Sequence, residues 1–179
     1  FYNTFFKSPK RRKAFEEAGA FFQALQKGAT AAGYNPVFYV SNSPHNLYEK
    51  LKQFLKLNHF PKGPILLRDI GIPYRLHPVG YQGHKASSIT RILNTVTDLP
   101  FILIGDSGER DLYIYHEIAT SFPGRIKAIY IRDVQNRKRY RKIVKYLDRV
   151  QHLNIHIFSS YVQLAEKVIS NDMIDSAYF

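Results

Sequence analysis

Apolar residues along this chain switch between a three-and-four spacing and short consecutive runs, and each switch marks a change of element. Phe15, Ala18, Phe22, Leu25 and Ala29 predict an amphipathic helix over residues 10–32 that ends near Gly33. After Tyr34-Asn35-Pro36, the run Val37–Val40 is rich in strand formers and stops at Ser41-Asn42-Ser43-Pro44. There Ser43 is placed to cap a helix, Pro44 to be its first residue, and Leu47, Leu51, Phe54 and Leu55 to form its apolar stripe. Ile65–Leu67 reads as a third short run, followed by a loop from Arg68 to Gly83 that is long enough to suggest a functional role. Ile89, Ile92, Leu93 and Val96 mark the next helix, and Phe101–Ile104 the next strand, read as buried. A helix with Leu112, Tyr115, Ala119 and Phe122 leads to a strand at Ile126–Ile131. The helix over 134–150 has Tyr140, Val144 and Leu147 inward, and a strand at Ile155–Phe158 precedes a last helix through Leu164 and Val168. Strands alternating with helices imply an α/β fold, a Rossmann-like parallel sheet with helices on both faces.

Composition narrows the partners more than the fold. With 45% hydrophobic residues, the 179-residue chain has apolar material for one globular core, and residues 1–179 read as one domain. The 26 Lys+Arg against 14 Asp+Glu leave a net charge of +12, which favours anionic partners: nucleic acid, a lipid surface or a phosphorylated substrate. Zero cysteines removes thiol catalysis, disulfides and Cys-ligated zinc, and fits a reducing compartment. A cytoplasmic or peripheral-membrane location is favoured on this basis, with no apolar run approaching the roughly 18 residues of a membrane span. The chain opens on Phe1, so it reads as truncated at its amino end.

The chemistry gathers at strand ends. Asp106 follows the run Phe101–Ile104 through Gly105, and Asp111 lies five residues further on, at the start of a helix. Open α/β sheets bind ligands at the carboxyl ends of their strands, and paired carboxylates there suit a divalent cation. In a parallel sheet Ser41 faces the same crevice as Asp106, and Lys85 begins a helix whose dipole already favours anions. The plainer reading is a helix cap at Ser41–Pro44, a solvated turn at Asp106 and a surface lysine, with His84 a surface or capping residue. Pattern alone leaves both open.

The order of the pieces adds a resemblance. Strand then Ser41, helix start with Lys85, and strand then Gly105-Asp106 with Asp111 resembles the second, third and fourth motifs of the haloacid dehalogenase-like phosphohydrolases. Within that superfamily, Tyr39-Val40-Ser41-Asn42-Ser43-Pro44-His45-Asn46-Leu47-Tyr48, Gly63–Asp69, Gly83-His84-Lys85 and Ile104–Asp111 are similar to the actin-patch type of phosphatidate phosphatase catalytic domain and its bacterial relatives. His45 departs from the tryptophan expected there, which bears on substrate shape.

That resemblance implies Mg²⁺-dependent hydrolysis of a phosphomonoester, phosphatidate or a related phospholipid, through an aspartyl-phosphate. Ser41, Asn42 and Lys85 would bind phosphate, with Ser41 and Lys85 also catalytic, while Asp106 and Asp111 would serve the metal. Arg68, Asp69, His84 and Ser107 are secondary candidates. It also implies an Asp-x-Asp nucleophile strand lying between those of Ser41 and Asp106. None is present: the aspartates are 69, 98, 106, 111, 133, 148, 172 and 175, and no two are separated by a single residue. The expectation is therefore a sheet missing its first strand, and a chain inactive by itself. Two basic clusters, Lys7-Lys10-Arg11-Arg12-Lys13 and Arg132 with Arg137–Arg149, suit contact with an anionic membrane or, more plainly, a solvated helix face. Two rival readings are a phosphate-binding module without turnover and a nucleic-acid-binding domain. The second is disfavoured because most of the 13 Tyr and 13 Phe fall on core positions. Oligomeric state leaves no mark in the sequence.

Overall fold

A computed structural model describes residues 9–29, 34–69, 83–171 and 173–178 of the chain. Most of the predicted loop, from Ile70 to Gln82, lies outside the described residues, as does Lys7; for Lys10–Lys13 only the helical backbone is described. In chain order the elements are α1 (Pro9–Lys27), β1 (Tyr39–Pro44), α2 (Tyr48–Leu57), β2 (Ile65–Arg68), α3 (His84–Thr95), β3 (Phe101–Asp106), α4 (Asp111–Ser121), β4 (Ile126–Arg132), α5 (Arg137–Leu147), β5 (Ile155–Phe158) and α6 (Tyr161–Ser170). Every strand pairing is parallel, in two sheets of order β1-β2 and β3-β4-β5, and strands alternate with helices as in a Rossmann-like α/β fold. Among the described residues no helix is long and apolar enough to cross a membrane.

Contacts divide the chain into two compact units, Phe1–Val79 with Ser160–Phe179, and Gly80–Ser159. In the first, α1 packs on α6 through Ala18, Phe21 and Ala24 of one and Leu164, Ala165 and Val168 of the other, all within 2% exposure. The predicted α1 stripe is thus shifted: Phe21 is the buried anchor and Ala29 is exposed. The helix also ends earlier than Gly33. Gly28 takes a left-handed φ of 73°, which a residue without a Cβ adopts at no steric cost, and its N–H closes the last turn on the Ala24 carbonyl at 2.9 Å.

The predicted cap after β1 is also corrected. The strand runs through Ser43 to Pro44, a 3-10 turn follows at His45–Leu47, and neither it nor α2 has a side-chain cap. Ser43 instead donates its N–H to the Ser41 hydroxyl at 3.1 Å, a local turn that competes with capping. No residue of α2 is fully buried, so its predicted stripe only half-covers the sheet edge.

The second unit is built on β4. Ala128, Ile129, Tyr130 and Ile131 are each at most 1% exposed, the continuous burial of a strand flanked on both sides and covered on both faces. The buried strand expected at Phe101–Ile104 is buried at Leu103 only; among the described strands β3 has a neighbour on one side only. On α4 the stripe includes Ile118 in addition to Leu112, Tyr115 and Ala119, while Phe122 is half-buried. On α5 the inward residue is Ile143, in line with half-buried Leu147 and buried Val150, whereas Tyr140 and Val144 point to solvent.

Close approach within the first unit yields a test. A Cβ on Gly19 of α1 would stand 2.1 Å from the Asn58 carbonyl oxygen at the end of α2. Gly19→Ala gains about 1 kcal/mol of helix propensity but forces the two helices apart. A net loss of about 1–3 kcal/mol is expected from the overlap, read as a lower urea midpoint; an unchanged or higher midpoint would refute the contact.

Candidate active site

The carboxyl ends of β3 and β4, capped by the starts of α3 and α4, gather Lys85, Asp106, Ser107 and Asp111, all of the second unit. Lys85 occupies the first turn of α3 and its side chain is 7% exposed. A buried ammonium at a helix amino end is opposed by both desolvation and the macrodipole, so it requires anions. It has two: its Nζ makes a short ion pair with Asp111 Oδ1 and a second with Glu109 Oε2 at 3.0 Å. Burial alone would lower the Lys85 pKa, but the two carboxylates outweigh it and raise the value, so the side chain is cationic.

Asp111 is the first residue of α4, where the dipole welcomes a carboxylate. Its other oxygen, Oδ2, accepts the Asp106 N–H at 3.2 Å, so one side chain ties the lysine of α3 to the backbone of β3. Burial pushes its carboxyl pKa up, against the pull of Lys85 and of that N–H. The approach depends on glycine: a Cβ at Gly105 would stand 2.5 Å from Asp111 Oδ2 and 2.7 Å from its Cβ. That is the physical reason for a glycine before Asp106.

Asp106 is held differently. Its Oδ1 accepts the N–H of Gly108 at 2.7 Å and of Glu109 at 3.1 Å, folding the turn around the carboxylate, and Oδ2 accepts no hydrogen bond among the described residues. Below it, Tyr115 donates its hydroxyl to the Ile104 carbonyl at 3.1 Å. Burial first, then the nearby Asp111, Asp106 and Glu109 charges, raise the Tyr115 pKa well above its ordinary value, which keeps it a neutral donor.

Ser107 proves to be a brace. It is 3% exposed, donates to Asp133 Oδ1 at 3.3 Å and accepts the Val134 N–H at 2.9 Å. Asp133 itself was missed in the sequence, although it follows β4 just as Asp106 ends β3; an acid after each of two adjacent strands was the available signal. Glu109, inside the quoted motif, was likewise overlooked as a partner of Lys85. His84 is half-buried as the first residue of α3.

Ser41, Asn42, Arg68 and Asp69 belong to the first unit, where β1 and β2 end together. Ser41 pairs in register with Leu67 and Pro44 with Arg68, the pairing shifting between them, an irregularity of the kind that re-aims side chains at strand ends. The Ser41 hydroxyl lies 3.1 Å from that of Ser43, and Asn42, Arg68 and Asp69 are exposed. The His45 ring stacks on Tyr48 at 5.9 Å.

The donor set fits a hydrated magnesium ion. Mg²⁺ takes one or two carboxylates and completes its octahedron with water and substrate oxygens. Asp106 offers one uncommitted oxygen, whereas both oxygens of Asp111 are engaged, so Asp111 fits behind the ion. Among the described residues no group of three His, Cys, Asp or Glu converges, so an ion here would depend on water and substrate oxygens for most of its shell. An open hollow of about 360 Å³ beside Leu147, Val150, Leu153 and His156 lies at the amino end of β5, the other end of the sheet from this chemistry.

Residues 1–133 match the family described as phosphatidate phosphatase APP1, catalytic domain. The chain belongs to this family. It is 43% identical over 100 residues to phosphatidate phosphatase APP1 of Saccharomyces cerevisiae, a match covering 55% of the chain and 17% of that protein. It is 38% identical over 103 residues to an uncharacterized protein of Schizosaccharomyces pombe, covering 56% of the chain and again 17% of the relative. The matched stretch is thus a small part of either relative's length. No solved structure matches the chain. All of Ser41, Lys85, Asp106, Asp111 and Asp133 lie inside the family match, whereas α5 lies beyond it.

The buried pair is directly testable. Lys85→Met strands Asp111 without its cation and is expected to cost about 3–5 kcal/mol, much of which Asp111→Asn in the same chain should restore. Equal urea midpoints for Lys85→Met and the parent would contradict the pairing. Because the Lys85 pKa is raised, its stabilisation is full below the ordinary value of 10.5 and is lost as pH climbs through the folded value. Parent and variant stabilities should therefore converge as pH climbs through the folded Lys85 value, and should also draw together in acid, where protonation of Asp111 relieves the carboxylate stranded in the variant.

Proposed function

We propose that this chain is the catalytic portion of a Mg²⁺-dependent phosphomonoester hydrolase that acts on phosphatidate or a related phospholipid. The observation that carries the reading is the buried Lys85, held between Asp111 and Glu109 beside an Asp106 carboxylate with one free oxygen, within a chain of the phosphatidate phosphatase APP1 catalytic-domain family. A bound ion would be held by Asp106, with Asp111 fixing its surroundings, and would supply charge neutralisation on the phosphoryl oxygens. Lys85 would neutralise the charge between phosphate and nucleophile, and the Ser41 hydroxyl and Asn42 amide would donate to phosphoryl oxygens. Glu109, at 36% exposure, is the partner that Lys85 can exchange for a substrate phosphate, since Asp111 is fixed by its second bond to β3.

The nucleophile is an Asp-x-Asp pair that the 179 residues do not contain. In this reading its leading carboxylate attacks phosphorus, the second acid protonates the leaving alcohol, and water then cleaves the aspartyl-phosphate to release inorganic phosphate. Turnover therefore requires a strand bearing that pair in addition to the residues described. One observation favours a second reading, a phosphate-binding module without turnover: the 179 residues hold Lys85 and Asp106 but no Asp-x-Asp pair.

In a protein carrying this chain together with an Asp-x-Asp strand, Asp106→Asn is expected to reduce turnover of phosphatidate on the order of a hundredfold or more while circular dichroism stays unchanged. Activity should require Mg²⁺, and Zn²⁺ should not replace it. Undiminished release of inorganic phosphate by Asp106→Asn would overturn the assignment. Phosphate binding by calorimetry with no turnover in any such protein would instead support the second reading. Lys85→Ala is the weaker probe, because it also unbalances Asp111.

A further inference from the structure

Helix α5 carries Arg-Lys-Arg-Tyr-Arg-Lys-Ile-Val-Lys-Tyr-Leu, six basic residues in eleven and no acidic one. An outer helix kept soluble by charge ordinarily interleaves both signs, since Glu–Lys pairs at i,i+4 stabilise and like charges at that spacing destabilise. Here Arg137, Arg141 and Lys145 follow one another at i,i+4, and among the described residues none has an acidic partner. Beside this ridge runs an apolar one: Tyr140 is 43% exposed and Val144 38%, again four apart, while buried Ile143 and half-buried Tyr146, whose hydroxyl lies 2.7 Å from His116 Nδ1, hold the helix inward. Val134, just before the helix, is 45% exposed. The helix starts next to the candidate site, for both Arg139 Nη1 and Val134 Cγ2 lie 3.5 Å from where a Gly108 Cβ would stand.

We propose that the outward face of α5 docks on an anionic lipid surface. The basic ridge would meet phosphate-bearing headgroups and relieve its own repulsion, while Tyr140 and Val144 enter the boundary between headgroups and acyl chains, the division of labour of interfacial helices. A nucleic acid would satisfy the charges but leaves Val144 without a role. The face belongs to the helix that begins beside the turn of Asp106, so the inference rests on and deepens the reading of a lipid substrate, and it names a surface outside the family match.

The test uses vesicles whose lipids carry no phosphomonoester, so that docking is read apart from hydrolysis. The protein should co-sediment with vesicles of phosphatidylcholine mixed with phosphatidylserine, and not with phosphatidylcholine alone. Binding should weaken as salt rises. Removing two charges in Arg137→Gln/Arg141→Gln should weaken it about thirtyfold, at about fivefold per charge. Tyr140→Ser/Val144→Ser should weaken it several-fold and leave the salt dependence unchanged; all four positions are solvent-facing, and circular dichroism checks that the fold persists. Equal binding to neutral vesicles, or no effect of either pair, overturns the proposal, as does single-stranded RNA binding more tightly than the anionic vesicles and depending on the same residues. Docking that survives in a protein without phosphatase activity would support this inference while sinking the catalytic one, and catalysis without docking the reverse.

Discussion

The second unit depends on one buried contact, the pair between Lys85 and Asp111. It joins the first turns of two helices that precede and follow β3, and through Asp111 Oδ2 it reaches the backbone of the strand itself. Three consecutive elements are thereby fixed to one another by two side chains. A charge pair in such a place rarely adds stability over an apolar substitute, because both groups are desolvated. What it gives here is position: the lysine is aimed at the carboxyl edge of the sheet, and Asp106 is oriented by the same backbone that Asp111 holds.

The glycines of the Gly-Asp-Ser-Gly turn follow from this arrangement. At 105 the room is taken by Asp111, and at 108 a Cβ would stand 2.8 Å from Asp106 Oδ1. Both glycines are therefore explained by what approaches them. Ser107, between them, turns its hydroxyl the other way, to Asp133 and Val134, and so braces the adjoining end of β4.

Much of this was legible in the chain, and for identifiable reasons. The parallel α/β alternation could be read because strands of four to seven residues and helices of ten or more differ in period. Lys85, Asp106 and Asp111 could be read because strand ends are where such folds hold chemistry. What escaped was decided by tertiary contact. Phe21 rather than Ala29 faces α6, and Ile143 rather than Val144 is buried, since two adjacent stripes fit a helical period almost equally well. The Ser43 cap was lost to a local hydrogen bond with Ser41. The place of Asp133 after β4 could be read, but its partner could not, because the serine that recruits it lies 26 residues away.

The half-buried state of β3 has a consequence for handling the molecule. Phe101–Ile104 presents a run of strand-forming residues, yet among the described strands it is paired on one flank only. Backbone donors and acceptors along such an edge form a template for any extended chain, and beyond the register irregularity between Phe101 and Ile102 the run Ile102–Ile104 carries no charge or proline to guard against self-association. Any cover over this edge therefore acts as a solubility element as well as part of the sheet, and concentrated preparations without such a cover will tend toward intermolecular β-pairing.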